Sequence, residues 1–266
     1  MKESMKTVGI VGFGQMGSAI GAGILRGQSQ RGWGVFEKIH SNAENARSLG
    51  GQVFPSLEAL CTHSDIIILA VKPQDLVTVG KNLQPFLENK LVISIAAGVT
   101  LGNLEKWLQT QRLVRWMPNL AASVGESLVG IAQTDGLSEQ DAIDSLELAK
   151  AIGKGTVVPE RLMNAVTGIS GSGIAFVFSF INGLALGGVR QGLPYKQALD
   201  FAISTCAGAA RLLQENAVHP EEMISRVCSP AGTTIEGIHV LENGGLKGLV
   251  MDAVTEASDK ASELEG

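Results

Sequence analysis

Charge is scarce in this chain. Asp, Glu, Lys and Arg make up 18% of its 266 residues and leave a net charge of −5. Beside 45% hydrophobic residues, so little charge excludes a disordered chain, because enough apolar surface exists to build a core. Basic clusters are missing, which excludes the usual way of gripping nucleic-acid phosphates. Cysteine is down to Cys61, Cys206 and Cys228, odd in number and widely spaced. That excludes a disulfide framework and a Cys-x-x-Cys metal site, so a reducing compartment and no metal are expected. The four histidines, His40, His63, His219 and His239, are dispersed and share no motif with an acidic partner. A catalytic histidine is therefore not expected. Aromatics are few as well, with a single tyrosine, Tyr195.

Glycine is what the chain has in excess. It holds 33, about 12%, where about 7% is usual. They follow no three-residue period, so a collagen-like repeat is out. Close approach of backbone to something else is the remaining use. A charged stretch up to Lys6 leads at once into Val8-Gly9-Ile10-Val11. No signal peptide fits there, and a cytoplasmic location is expected. From Leu162 to Val189 no charged residue occurs, between Arg161 and Arg190. That length reaches across a bilayer. Yet Asn164, Thr167, Ser170, Ser172, Ser179, Asn182 and several glycines interrupt it. A buried helix pair or a subunit interface is the expectation, and no membrane contact.

Two grammars divide the chain. In the first half, short runs of β-favouring residues (8–11, 34–36, 66–71, 91–96) alternate with helical patterns (17–27, 41–49, 74–87). Ile66–Val71 and Leu91–Ala96 are almost continuously apolar, as strands covered on both faces must be. Further strands are expected at 112–117, 128–133 and 155–158, with a helix opening at Ser138. After Glu160 only Ala- and Leu-rich helical stretches follow, at 161–191, 194–216, 219–227 and 233–266. The expected fold is an α/β Rossmann-type domain with a mostly parallel, doubly wound sheet, residues 1–160. An all-α dimerisation and substrate domain, residues 161–266, follows it.

Val11-Gly12-Phe13-Gly14-Gln15-Met16-Gly17 carries the most specific signal: a strand, then Gly-x-Gly-x-x-Gly, then a helix. The first glycine permits a tight turn, the second admits a pyrophosphate, and the third lets helix pack on strand. The helix N-terminus supplies free N–H groups to the anion. Glu37 follows the second expected strand. An acidic residue there takes the ribose 2′-hydroxyl and favours NADH, while Lys38 beside it offers a phosphate seat and keeps NADPH open. Ala70-Val71-Lys72-Pro73 and Ile95-Ala96-Ala97 end later strands at the same edge, where ligands of such folds lie. Asn119 is counted with these cofactor residues.

Several blocks together resemble the pyrroline-5-carboxylate reductase family over nearly the whole chain. They are Gly-Phe-Gly-Gln-Met-Gly at 12–17, Ala-Val-Lys-Pro-Gln at 70–74 and Arg-Trp-Met-Pro-Asn at 115–119. The helical half adds Ala-Val-Thr-Gly-Ile-Ser-Gly-Ser-Gly at 165–173, His-Pro at 219–220 and Ser-Pro-Ala-Gly-Thr-Thr-Ile at 229–235. The resemblance implies reduction of a cyclic imine, 1-pyrroline-5-carboxylate, to L-proline with NADPH or NADH. It implies that Thr233 and Thr234 contact substrate, with the Thr234 hydroxyl near the imine nitrogen as the catalytic contact. Glu160 matches a further substrate position, and Ser170, Ser172 and Gly232 join it. It also implies a homodimer through the helical domain and possible assemblies of dimers up to a decamer. Departures from the family pattern stand at Ile174, Asn182, Leu186 and Ala231. They leave two alternatives open: a non-catalytic cofactor-binding relative, or a reductase of another small carboxylated imine or keto acid.

Overall fold

In the computed structural model, residues 6–27 and 32–265 are described. The first five residues of the charged leader lie outside them. Eight strands alternate with helices in the order expected of a parallel sheet. They are β1 (Val8–Val11), β2 (Trp33–Phe36), β3 (Gln52–Val53), β4 (Ile66–Leu69), β5 (Leu91–Ser94), β6 (Leu113–Met117), β7 (Ser127–Gln133) and β8 (Gly153–Val157). Between them lie α1 (Gln15–Arg26), α2 (His40–Ser48), α3 (Leu57–His63), α4 (Pro73–Leu83), α5 (Leu101–Leu108) and α6 (Glu139–Ala149). One sheet runs β3-β2-β1-β4-β5-β6-β7-β8, parallel throughout except for the antiparallel β6–β7 pair. The strand order reverses between β1 and β4, the switch point at which such sheets open a crevice at their carboxyl ends.

The continuous apolar runs have their reason in the layers. Side chains alternate across a strand, so Ile66 and Ile68 enter one core with Val8, Ile10, Ile20 and Ile24. Ile67 and Leu69 enter the opposite one with Leu60, Leu76 and Leu104. Both faces are covered, and every position must be apolar. The sequence pattern missed the two-residue β3, too short to show a period, and the short helices α3 and α5.

The helical half comprises α7 (Met163–Val166), a π-helical stretch at Thr167–Ser172, α8 (Gly173–Arg190), α9 (Tyr195–Asn216), α10 (Pro220–Val227), α11 (Thr233–Asn243) and α12 (Leu246–Glu263). Two compact units result. One runs to Ser172 and takes in the chain again from Glu256; the other is Gly173–Thr255. The division thus lies beyond residue 160. Met163 is fully buried in the core shared with β6, and a side chain at Gly130 of β7 would strike Val166 at 2.7 Å. The last turns of α12 come back to the same unit: Ser262 and Glu265 accept hydrogen bonds from Asn164 Nδ2, both at 2.9 Å.

In the second unit α8 packs on α9 around Ala185, Ala198 and Ala202. Gly188 permits that crossing, since a Cβ there would lie 3.0 Å from Ala198. Little else of α8 is covered by its own chain. The helix Glu160–Arg190 reaches a mean hydropathy of 1.7 over an 18-residue window, with 11% of that window buried.

Candidate functional site

The carboxyl ends of β2, β1, β4 and β5 are laced side by side. Gly12 N–H donates to Phe36 O at 3.0 Å, Ala70 N–H to Val11 O at 2.8 Å and Ile95 N–H to Leu69 O at 3.2 Å. Three of the expected cofactor segments, 11–17, 70–73 and 95–97, therefore share one edge. Gly12 turns the chain at φ +90°, and a Cβ there would meet Ala70 O at 2.8 Å and Val71 at 2.9 Å. At Gly17 an added Cβ would strike Gly12 O, so helix and turn touch. Gly14, by contrast, faces open space within 4 Å. This is a cradle with one open side, and it fits a pyrophosphate.

No side chain caps α1, and no acidic residue stands in its first turn. The orphan N–H groups and the positive end of the helix dipole are left to an anion. Gln15 is exposed and Met16 half-buried beside this opening. Phe13, between the glycines, points the other way. It is buried and stacks on Trp33 with ring centroids 5.7 Å apart. Lys72 is the exposed N-cap of α4, followed by Pro73 in the first turn, where a missing N–H costs nothing. Ala96 is buried and Ala97 exposed at the end of β5.

Glu37 lies at this edge too, and its carboxylate points back toward the glycine turn. Phe13 N–H donates to its Oε2 at 2.6 Å and Ile39 N–H to its Oε1 at 2.8 Å. Lys38 is exposed on the same loop.

Other expected residues are occupied by internal bonds. Asn119 accepts from Ala121 N–H through Oδ1, and its Nδ2 donates to Ser170 Oγ at 3.1 Å. Ser170 is buried and donates in turn to Leu128 O. Asn119 and Ser170 thus tie the end of β6 to the π-helical stretch, where one backbone register is shifted. Such stretches concentrate at functional sites. Ser172 ends it, half-buried. Glu160 Oε1 accepts from Leu101 N–H at 2.6 Å, at the start of α5, and lies 3.4 Å from Arg115 Nη1.

Arg115 itself was missed by the sequence reading. It is fully buried, with Nη2 2.8 Å from Glu265 Oε1 at an angle outside hydrogen-bond geometry. A lone charge within the apolar run 113–117 was the available signal. Only the fold brings Glu160 and Glu265 to it.

In the second unit, Ala231 adopts φ +56° and Gly232 is the N-cap of α11. Thr233 and Thr234 are the first two residues of that helix, exposed and half-buried. No side chain caps α11 either, so its N-terminal amides are again left to an anion. Asn182, a departure from the family pattern, accepts a hydrogen bond from Tyr195 OH at 3.1 Å. Two cavities bordered by His63 lie by the amino end of β2 and along α3, away from the glycine turn. No expected site residue lines either.

A Rossmann-type unit with an open pyrophosphate cradle, followed by an all-helical unit, defines the dinucleotide-binding oxidoreductase class. Family models agree, one for each half. Residues 7–98 match the model described as NADP oxidoreductase, coenzyme F420-dependent, and residues 160–264 match pyrroline-5-carboxylate reductase dimerisation. The chain is 44% identical to a pyrroline-5-carboxylate reductase of Methanosarcina acetivorans and 40% identical to one of Aquifex aeolicus. Each match covers 97% of both chains. Among solved structures it is similar to a pyrroline-5-carboxylate reductase of Coxiella burnetii, with TM-score 0.92, 28% identity and coverage of 99% and 100%. It also resembles Plasmodium falciparum pyrroline carboxylate reductase with NADP bound, with TM-score 0.88, 29% identity and 98% of each chain. The chain belongs to the pyrroline-5-carboxylate reductase family.

Proposed function

We propose that this chain reduces 1-pyrroline-5-carboxylate to L-proline with NADPH or NADH, the last step of proline biosynthesis. The observation that carries this reading is kinship over 97% of both chains, which takes in both units. When bound, the nicotinamide cofactor supplies a hydride to the imine carbon. The substrate arrives as an iminium carrying its proton on nitrogen, and the product leaves as a secondary amine.

Gly12, Gly14 and Gly17 with the N-terminus of α1 hold the pyrophosphate. Val11, Gln15 and Met16 line the turn, Glu37 and Lys38 take the ribose end, and Ala70–Pro73 and Ile95–Ala97 border the rest. Asn119 acts by fastening the π-helical stretch. The uncapped start of α11, with Gly232 and Thr233, suits the substrate carboxylate, and Thr234 Oγ1 serves the ring nitrogen. Glu160, Ser170 and Ser172 complete the assigned substrate residues; the first two act through the backbone segments they fasten. No strong general acid is needed for an iminium, so positioning supplies most of the rate.

The working form is a homodimer through the helical unit, in the cytoplasm, with larger assemblies built from it. The exposed apolar face of α8 supports the dimer, and the absence of a cysteine framework supports the location.

The test is steady-state oxidation of NADH and NADPH in the presence of the imine. Thr234→Ala should lower kcat/KM at least about tenfold, the worth of one good hydrogen bond. Unchanged activity would refute the role given to Thr234. A nucleotide that binds but is not consumed would favour a non-catalytic relative. Turnover only of another carboxylated imine or keto acid would reassign the substrate.

A further inference from the structure

The carboxylate of Glu37 is held by the protein's own backbone. Phe13 N–H donates to Oε2, Ile39 N–H to Oε1, and Asn42 Nδ2 reaches Oε2 at 3.4 Å. Phe13 is the residue between the first two glycines of the turn, and its ring is anchored in the core against Trp33. Its amide therefore has little freedom, and the acid at the end of β2 is pinned to the phosphate-binding turn. These donors reach both carboxylate oxygens. They leave capacity unused, because a carboxylate offers about four acceptor positions. A ribose 2′-hydroxyl can donate to one of them.

A 2′-phosphate cannot. It brings a charge of about −1.5 to −2 and acceptor oxygens only, and like charges brought together cost several kcal/mol. The carboxylate cannot swing aside without orphaning the Phe13 and Ile39 amides. Of the basic side chains that follow, Arg47 pairs with Glu44 and His40 Nε2 lies 3.7 Å from the same carboxylate, while Lys38 is exposed.

We propose that Glu37 selects NADH over NADPH in this chain, and that it does so because the glycine turn holds its carboxylate in place. The inference rests on the dinucleotide-binding reading above. It has a second consequence. Glu37 orders the turn as well as excluding the phosphate, so removing it weakens NADH binding while it admits NADPH.

Direct titration of the full-length protein with NADH and with NADPH, by calorimetry and without substrate, decides it. The Kd for NADH should be at least about tenfold lower than that for NADPH. In Glu37→Ala the ratio should fall by at least about tenfold, with NADH itself binding more weakly. Glu37→Gln, which keeps one acceptor oxygen and drops the charge, should move the ratio the same way with a smaller loss of NADH affinity. Equal or tighter binding of NADPH to the unmodified protein overturns the proposal. So does an unchanged ratio in both variants. Binding of neither nucleotide by the unmodified protein overturns the dinucleotide reading itself, a result distinct from either. Should Glu37→Ala fail to fold, the unmodified protein and Glu37→Gln still decide.

Discussion

Ala231 holds φ +56°, a left-handed conformation that costs a residue with a Cβ about 1–2 kcal/mol. It stands one residue before the N-cap of α11, at one of the departures from the family pattern named above. Gly232 N–H closes the turn on Ser229 O at 3.0 Å, and a Cβ on Gly232 would strike Ser229. The turn is thus crowded, and the strain stays at Ala231. Replacing it with glycine relieves that strain at the expense of a more flexible unfolded chain, about 0.5–1 kcal/mol. Ala231→Gly should therefore stabilise the protein by up to about 1 kcal/mol in urea unfolding. A measurable loss of stability would show that the alanine conformation is unstrained. The departure at Ala231 was legible in the sequence; the positive φ and its strain needed the backbone.

Charge ties the start of α6 to the start of β6. Arg112, just before β6, makes bidentate hydrogen bonds to Asp141 at 2.9 and 2.7 Å. Asp141 sits in the first turn of α6, almost wholly buried, with Lys6 Nζ at 3.6 Å and also 2.5 Å from Asp144. Burial pushes the Asp141 carboxyl up. The hydrogen bonds from Arg112 and Ser138 and the charges of Arg112 and Lys6 outweigh it and hold the group below its ordinary 3.8. A carboxyl lowered on folding stabilises fully above its ordinary value, and the effect is lost as pH falls through the lowered one. Acid unfolding should accordingly be gentler in Asp141→Asn, which has no such group left to protonate, although it is less stable at pH 7. Equal stability loss at every pH from 7 down to about 2 would remove the ion pair from the account. Sequence reading found the polar cap at Ser138. It did not find this cluster, because Lys6, Arg112 and Asp141 are far apart along the chain.

At the scale of the molecule, the two units differ in how much they cover of themselves. The sheet unit buries its central strands β1, β4, β5 and β6 along their whole length. The second unit has a small alanine core, and Val177, Phe178, Phe180, Leu184 and Leu186 of α8 are exposed. Large apolar side chains exposed together on one helix mark an interaction face. The match of residues 160–264 to a dimerisation family supports an oligomer, and the proposed form is a homodimer. Light scattering should find particles of at least two chains, and a lone 27.8 kDa particle would refute the proposed dimer. Phe178→Glu together with Phe180→Glu should shift the population toward single chains by placing charges in an apolar contact.

By itself the sequence determined the order of the longer strands and helices, the glycine turn and the change of grammar after the sheet. These are local: a period, a run, or a glycine spacing is set by residues within one or two turns of each other. The tertiary structure decided what distant residues do. It turned Glu37 back onto Phe13, drew Glu160 and Glu265 to Arg115, closed Asn119 on Ser170 and returned the last turns of α12 to the first unit. Each joins groups separated by 24 residues or more in sequence, and no periodicity encodes such a meeting. It follows from which strand ends the parallel sheet sets next to one another.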